Sequence, residues 1–310
     1  MVGMSRAALL CPLYSTRKIQ AMKITFIGLG KMGTAMVERL LQAGYQVTIF
    51  NRTLSKTKLL VAKGAIFSSS IKEAVKNANV VMTSLLNDKA VLEVTAELLQ
   101  HIQPGTIHIG LSTILPDTAK SLETKHQEYN TYYISAAVLG IPNVARERGL
   151  TTFCAGSAAE IEKILPLLQT FSQNIVPLGS QIFAPNVMKI CMNYSLATTI
   201  ELISELYIFA EKSGLDTEVV RKGLHQIYGH PAFKRYIDKI HERNFAEVNF
   251  DMVGGNKDMN LFQEAFSSVG VVPEIGNVVR ARFIAALAQG MEGKDWSAIY
   301  EIVRAQSGLV

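Results

Sequence analysis

"KITFIGLGKMGTAMVERLLQAG", residues 23–44, decides the architecture of the first half of the chain. Its opening is apolar and β-branched, which predicts a strand that ends in glycines. From Lys31 onward apolar residues recur at helical spacing until Gly44 stops the run. Gly28-x-Gly30-x-x-Gly33 lies between the two. Three glycines at this spacing are unspecific alone, but directly after a strand and opening a helix they form a dinucleotide fingerprint. Gly28 allows the tight turn, Gly30 lets a pyrophosphate approach the backbone, and Gly33 lets the helix pack on the strand. The helix N-terminus then turns free N–H groups and a positive dipole end towards the phosphates.

The end of the second strand, "YQVTIF", bears on the choice of dinucleotide. A carboxylate there bonds the ribose 2′-hydroxyl of NAD. This chain instead carries Asn51, Arg52 and Thr53, with Lys56 close behind. Nothing in that stretch repels a 2′-phosphate, and Arg52 can bind one through charge-assisted hydrogen bonds. NADP(H) is therefore expected over NAD(H).

Further along, strands and helices alternate. Strands are expected at "AIF", "NVVMTSL", "TIHIGL", "TYYISAAV", "LTTFCAG" and "NIVPLG", with helices near 55–63, 71–77, 88–100, 116–128 and over "AAEIEKILPLLQTF". Such alternation predicts an α/β, doubly wound (Rossmann), mostly parallel sheet. After Gly179 the strand signal ends, and six helical runs follow, beginning with Pro185 to Gly214 and ending with "DWSAIYEIVRAQSG". The organisation read from this is a leader of residues 1–21, a cofactor-binding domain over 22–183 and an all-helical substrate and dimerisation domain over 184–310.

Bulk properties narrow the function. The 310 residues suffice for two cores. The formal charge of +5 includes Arg6, Arg17 and Lys18 in an acid-free leader, so removing these three leaves +2 for the body. That is too little to argue for a nucleic acid or an anionic membrane as partner. Cys11, Cys154 and Cys191 form no close pair, which suits a reducing compartment, and Cys191 is expected in core packing. Neither the cysteines nor the six histidines show metal-ligand spacing, so no metal is expected. The leader has arginines and serines without acids, like a transit peptide, though an upstream start or a tail would look the same. The expected location is the cytoplasm, or the mitochondrial matrix if the leader is a transit peptide.

Inside the long helix one residue stands out. Lys189 lies in the nearly apolar stretch "PNVMKICMNYS", and its neighbours three and four positions away include no acid. Asn186, Lys189 and Asn193 share one face. A lone amine between two amides is either a solvated surface group or a working one.

Taken in order, "GLGKMG", "NRT", "SLLND", "LSTILP", "AAVLG", "PNVMKICMN" and "NKDMNL" make the chain, from about Met22 to its end, resemble the 3-hydroxyisobutyrate dehydrogenase family of β-hydroxyacid dehydrogenases, to which imine reductases are related. The resemblance implies that Gly28, Leu29, Gly30, Lys31, Met32 and Gly33 bind the pyrophosphate, and Asn51, Arg52, Thr53 and Lys56 the adenosine ribose end. It implies Leu85 and Leu86 beside the nicotinamide, and Ser112 and Thr113 near its ribose, with Ser112 also reaching substrate. Lys257 would approach the cofactor from the helical domain with Asp258 beside it. Lys189 would be the catalytic lysine and Asn193 a substrate contact, in a homodimer or homotetramer.

The chain departs from the family at the substrate loop, commonly D-A-P-V-S-G-G and here "SAAVLGI", Ser135 to Ile141. Leu139 and Gly140 remain its substrate-facing residues, but a leucine replaces the serine that helps hold a carboxylate. A tighter, more apolar pocket is expected. Phe183 and Pro185 likewise stand where glycines are common. The leading expectation is hydride transfer between NADPH and a small carbonyl compound of semialdehyde, keto or β-hydroxyacid type, with Lys189 as proton donor or acceptor. Imine reduction is the enzymatic alternative, disfavoured because imine reductases generally replace this lysine. A non-catalytic NADP-binding scaffold is the other.

Overall fold

The computed structural model describes residues 22–309. The leader, Cys11 and the question of a transit peptide lie outside the described residues.

Eight strands form one sheet: β1 (Ile24–Ile27), β2 (Val47–Phe50), β3 (Ile66–Phe67), β4 (Val80–Thr83), β5 (Ile107–Gly110), β6 (Tyr132–Leu139), β7 (Leu150–Ala155) and β8 (Ser172–Pro177). Their spatial order is β3-β2-β1-β4-β5-β6-β7-β8. The first six are parallel, while β7 runs antiparallel to β6 and β8 parallel to β7. The helices of this half are α1 (Lys31–Gln42), α2 (Lys58–Ala62), α3 (Ile71–Val75), α4 (Asp88–Leu99), α5 (Pro116–Glu128), α6 (Pro142–Arg146) and α7 (Ala158–Leu168). Alternate strand residues feed two separate cores: Phe26, Ile49, Met82 and Ile109 pack with Met36 and Leu40 of α1, whereas Ile27 and Val81 pack with Val75 and Leu98. Burial on both faces is why these strands read as continuous apolar runs.

The chain order reverses at β1, which has β2 on one side and β4 on the other. A crevice outside the strand ends at such a switch point is the ligand position of doubly wound sheets. Gly28 and Ser84, which follow β1 and β4, meet there.

From Ala184 on, the described residues are helical: α8 (Ala184–Lys212), α9 (Thr217–Ile227), α10 (Pro231–His241), α11 (Met252–Ser268), α12 (Glu274–Ala288) and α13 (Ile299–Gln306). Their core centres on Ile200, Ile203 and Tyr207 of α8, with Phe262, Phe283 and Trp296. The 29-residue α8 packs on β6 and β7 near its start and on the helices beyond, so it joins the halves.

Three local features differ from the sequence reading. Helix α11 begins at Met252, four residues before the "NKDMNL" stretch, with the Asp251 carboxylate accepting from the Gly254 N–H at 2.7 Å. The Gly254-Gly255 pair looks like a breaker, but Gly255 lies so close to the Phe283 ring that a Cβ would overlap it. The short α6 was not expected; it turns the chain back for antiparallel β7. Cys191 is exposed instead of packed in the core, because α8 buries the face carrying Asn186, Lys189, Asn193 and Ala197, and Cys191 points away from it.

Beneath the switch point lies a buried polar chain. Leu122 O accepts from His126 Nδ1 at 2.7 Å, which leaves Nε2 to accept from His108 Nδ1 at 2.9 Å; His108 Nε2 then accepts from Thr83 Oγ1 at 2.9 Å. Both imidazoles are neutral, since burial lowers His108 well below its ordinary value and His126 from 6.5 to about 4. The unfolded chain therefore binds protons first as pH falls. Stability is full above about 6.5 and drops towards pH 4, by about 3 kcal/mol for His126 alone. Urea unfolding across that range should show this slope, flattened in His126→Phe.

Candidate active site

The dinucleotide edge is built from three strand–helix turns. Gly28 adopts φ 99°, and a Cβ on it would overlap the Ser84 carbonyl oxygen; a Cβ on Gly33 would overlap Gly28 O. Gly30 is different: nothing lies within 4 Å of where its Cβ would be. Its missing side chain serves no packing need and leaves open the start of α1, which no side chain caps. An uncapped helix start under an open glycine fits a pyrophosphate. Leu29 is buried, Met32 packs on the sheet core, and Lys31 is exposed with its Nζ donating to Val248 O of the helical half at 3.3 Å.

Asn51 has both amide ends engaged: Oδ1 accepts from Leu29 N–H and Nδ2 donates to Thr53 O, each at 2.9 Å. It ties the first two turns together. Arg52, Thr53 and Lys56 are exposed beside it, and neither cation has an ion-pair partner among the described residues. Across the switch point, Ser112 Oγ accepts from Leu85 N–H at 2.8 Å, while Leu86 is 66% exposed. These positions would hold an NAD(P) dinucleotide, with Leu85 and Leu86 offering the apolar surface.

The second component is the face of α8. Lys189 is only 9% exposed, and its amine has no hydrogen-bond or ion-pair partner among the described residues. Burial is the main influence and lowers its pKa from 10.5 to about 8; Asp258 works to raise it and Lys257 to lower it. Asp258, itself buried, accepts from Asn193 Nδ2 at 2.9 Å through one oxygen and from Lys257 Nζ at 3.2 Å through the other. Lys257 also donates to the Thr113 carbonyl at 2.8 Å, fastening α11 to the turn after β5. The sequence reading set Asp258 beside Lys257 without a task. Here it orients two neighbours and faces a third.

Leu139 is half-buried at the end of β6, and Gly140 is exposed with φ 138°. The adjoining Ile141 borders a cleft of about 310 Å³ between the halves, whose wall is otherwise largely polar, with Asn143, Glu147, Arg235 and Asn249. Among the described residues no three metal-ligating side chains converge, and no helix is long and apolar enough to cross a membrane.

A Rossmann sheet with an open glycine turn at its switch point, followed by a helical half, is the build of an NAD(P)-dependent oxidoreductase. Comparison with known proteins gives the family. Residues 23–179 match the model of the NAD binding domain of 6-phosphogluconate dehydrogenase, and residues 184–303 that of the NAD-binding region of NADP-dependent 3-hydroxyisobutyrate dehydrogenase. The oxidoreductase YfjR of Bacillus subtilis is 32% identical, over 91% of this chain and 100% of that one. The NAD-dependent L-serine dehydrogenase of Pseudomonas aeruginosa is 30% identical, over 90% and 97%. A solved 3-hydroxyisobutyrate dehydrogenase of Mycobacterium tuberculosis with L-serine has a TM-score of 0.82 at 24% identity, over 91% of this chain and 99% of that one. The chain belongs to the 3-hydroxyisobutyrate dehydrogenase, or β-hydroxyacid dehydrogenase, family, and is a dehydrogenase or reductase acting on CH–OH.

Proposed function

We propose that the chain is an NADPH-dependent reductase of small carbonyl compounds, of semialdehyde, keto or β-hydroxyacid type, with Lys189 as the proton donor. The observation that carries this is Lys189 itself: 9% exposed, unpaired among the described residues, and with a proton affinity brought to about 8. An amine with that affinity gives and regains a proton readily near neutral pH. A bound reduced nicotinamide supplies the hydride that a carbonyl carbon accepts. Lys189 donates its proton to the carbonyl oxygen as charge develops there, then recovers one from solvent. Asn193, fixed by Asp258, orients the same oxygen, and Lys257 steadies the turn at Thr113. The reverse oxidation uses the same groups with Lys189 neutral.

In this reading residues 22–183 hold the cofactor. Residues 184–310 supply the amine and the contacts with a second copy in a homodimer or homotetramer; exposed Leu202, Leu206 and Phe209 along α8 support the latter. Relatives named for mitochondria make the matrix a reasonable location alongside the cytoplasm.

The reading is tested by following NADPH absorbance with a panel of semialdehydes, glyoxylate and cyclic imines. Turnover of none of the carbonyls would remove it, and turnover confined to imines would favour imine reduction. The cofactor choice rests on Arg52, exposed and without an ion-pair partner among the described residues. Arg52→Ser should weaken NADPH by one or two charge-assisted hydrogen bonds of about 1.5–3 kcal/mol each while leaving NADH nearly unchanged. Equal weakening of both in a titration would mean that Arg52 does not read the 2′-phosphate.

A further inference from the structure

One buried amide in the site has no task in the chemistry above. Asn186 lies one helical turn before Lys189, on the same face of α8, and is 1% exposed. Its Oδ1 accepts from the hydroxyl of Ser135 at 2.9 Å. Ser135, also 1% exposed, sits in β6 opposite Gly110, the last residue of β5. With the oxygen occupied, the two N–H bonds of Nδ2 remain, and they have no partner among the described residues. A buried amide donor left unpaired is unfavourable unless something else completes it.

We propose that Asn186 is a specificity-determining residue: its side-chain N–H groups, held facing the site by Ser135, receive the carboxylate of a small substrate whose reacting carbon faces Lys189. This rests on the reading of Lys189 given above. Residues three apart on a helix have Cβ atoms about 5–6 Å apart. That spacing suits a carboxylate one or two carbons from the reacting centre. The nearby loop cannot do this with a side chain, because Leu139 has no polar atom to offer. Ser135 matters because a hydroxyl can donate to Oδ1, whereas an ionised carboxylate at the same position can only accept. An aspartate there would draw Nδ2 towards itself and turn the amide oxygen towards the site, where it repels a carboxylate.

The full chain provides the test, with 3-hydroxypropanoate and 1-propanol as probes in the oxidative direction and malonate as an unreactive ligand. Asn186→Asp should raise KM for 3-hydroxypropanoate by about 10- to 100-fold, the size expected for a lost hydrogen bond to a charged group, with NADPH affinity little changed. Ser135→Asp should do the same, Ser135→Ala should raise it less, and the KM for 1-propanol should be insensitive to all three. Asn186→Ala, which adds no buried charge, gives the same rise if the aspartate variant folds poorly. In ¹⁵N spectra, malonate should shift the Asn186 side-chain amide signals, assigned by their loss in Asn186→Asp. Unchanged KM in the Asn186 and Ser135→Asp variants, or signals that malonate leaves in place, would overturn the proposal while the reductase reading stands. A malonate shift without any wild-type turnover would leave the carboxylate site and sink the reductase.

Discussion

Lys189→Met is expected to abolish turnover and to leave the folded protein at least as stable as before. Loss of an essential acid or base costs about 10²–10⁴-fold in rate. The amine has no hydrogen-bond or ion-pair partner among the described residues, so methionine fills its volume without orphaning one. The stability half follows from the lowered pKa. In the folded state the amine holds its proton more weakly, with a pKa of about 8 against 10.5 in the open chain. Below pH 8 both states are charged and folding carries the full penalty, of about 3 kcal/mol; between 8 and 10.5 the folded amine is neutral and the penalty fades. Wild-type stability should therefore rise with pH across that window, and the rise should vanish in the variant. Calorimetry at pH 7 and pH 10, beside single-turnover kinetics, measures both halves. A variant that is active, or markedly less stable at pH 7, contradicts the assignment.

Asp258→Ala should show the second largest effect, on both stability and rate. The carboxylate is buried and holds Asn193 at 2.9 Å and Lys257 at 3.2 Å. Removing it strands the Asn193 amide and leaves the Lys257 cation with only the Thr113 carbonyl, at a cost of about 3 kcal/mol, the lower end for breaking a buried pair because Lys257 keeps that bond and some solvent contact. Lys189 also loses the one nearby charge that raises its proton affinity, so its pKa falls further below about 8. The alkaline limb of the kcat profile for reduction should then move to lower pH, with activity at pH 7 down by at least about tenfold. Asp258→Asn separates the causes: a neutral amide can still bond Asn193 and recover much of the stability, but it cannot restore the pH limb. A limb that stays in place in both variants would show that Asp258 does not tune Lys189.

The parts of this site legible in the sequence are those fixed by neighbours in the chain. The turn at Gly28 to Gly33 needs only a strand before it and a helix after it, and both carry their own periodicity. The absence of a carboxylate after β2 is equally local. The oddity of Lys189 follows from helical spacing alone, since an amine without an acid one turn away is visible in one dimension. What stayed hidden was set by partners far along the chain. Asn193 meets Asp258 65 residues later and Ser135 meets Asn186 51 residues later, and neither pairing has a local signal. Gly254-Gly255 has the look of a helix breaker in one dimension, because the Phe283 ring that requires the small residue at Gly255 belongs to another helix. Cys191 was misplaced for a related reason: an apolar stretch does not say which face of its helix will be covered.

By itself, then, the sequence determined a doubly wound cofactor half, a helical second half, and a lysine with no helical partner between them. These rest on backbone periodicity and glycine sterics, which act over a few residues. Only the tertiary structure decided that the lysine is buried, that its nearest carboxylate is already engaged with two other groups, and that an asparagine one turn earlier keeps free donors. Burial and electrostatic surroundings depend on which surfaces pack together, and that packing brings together groups whose separation in the chain carries no periodic trace.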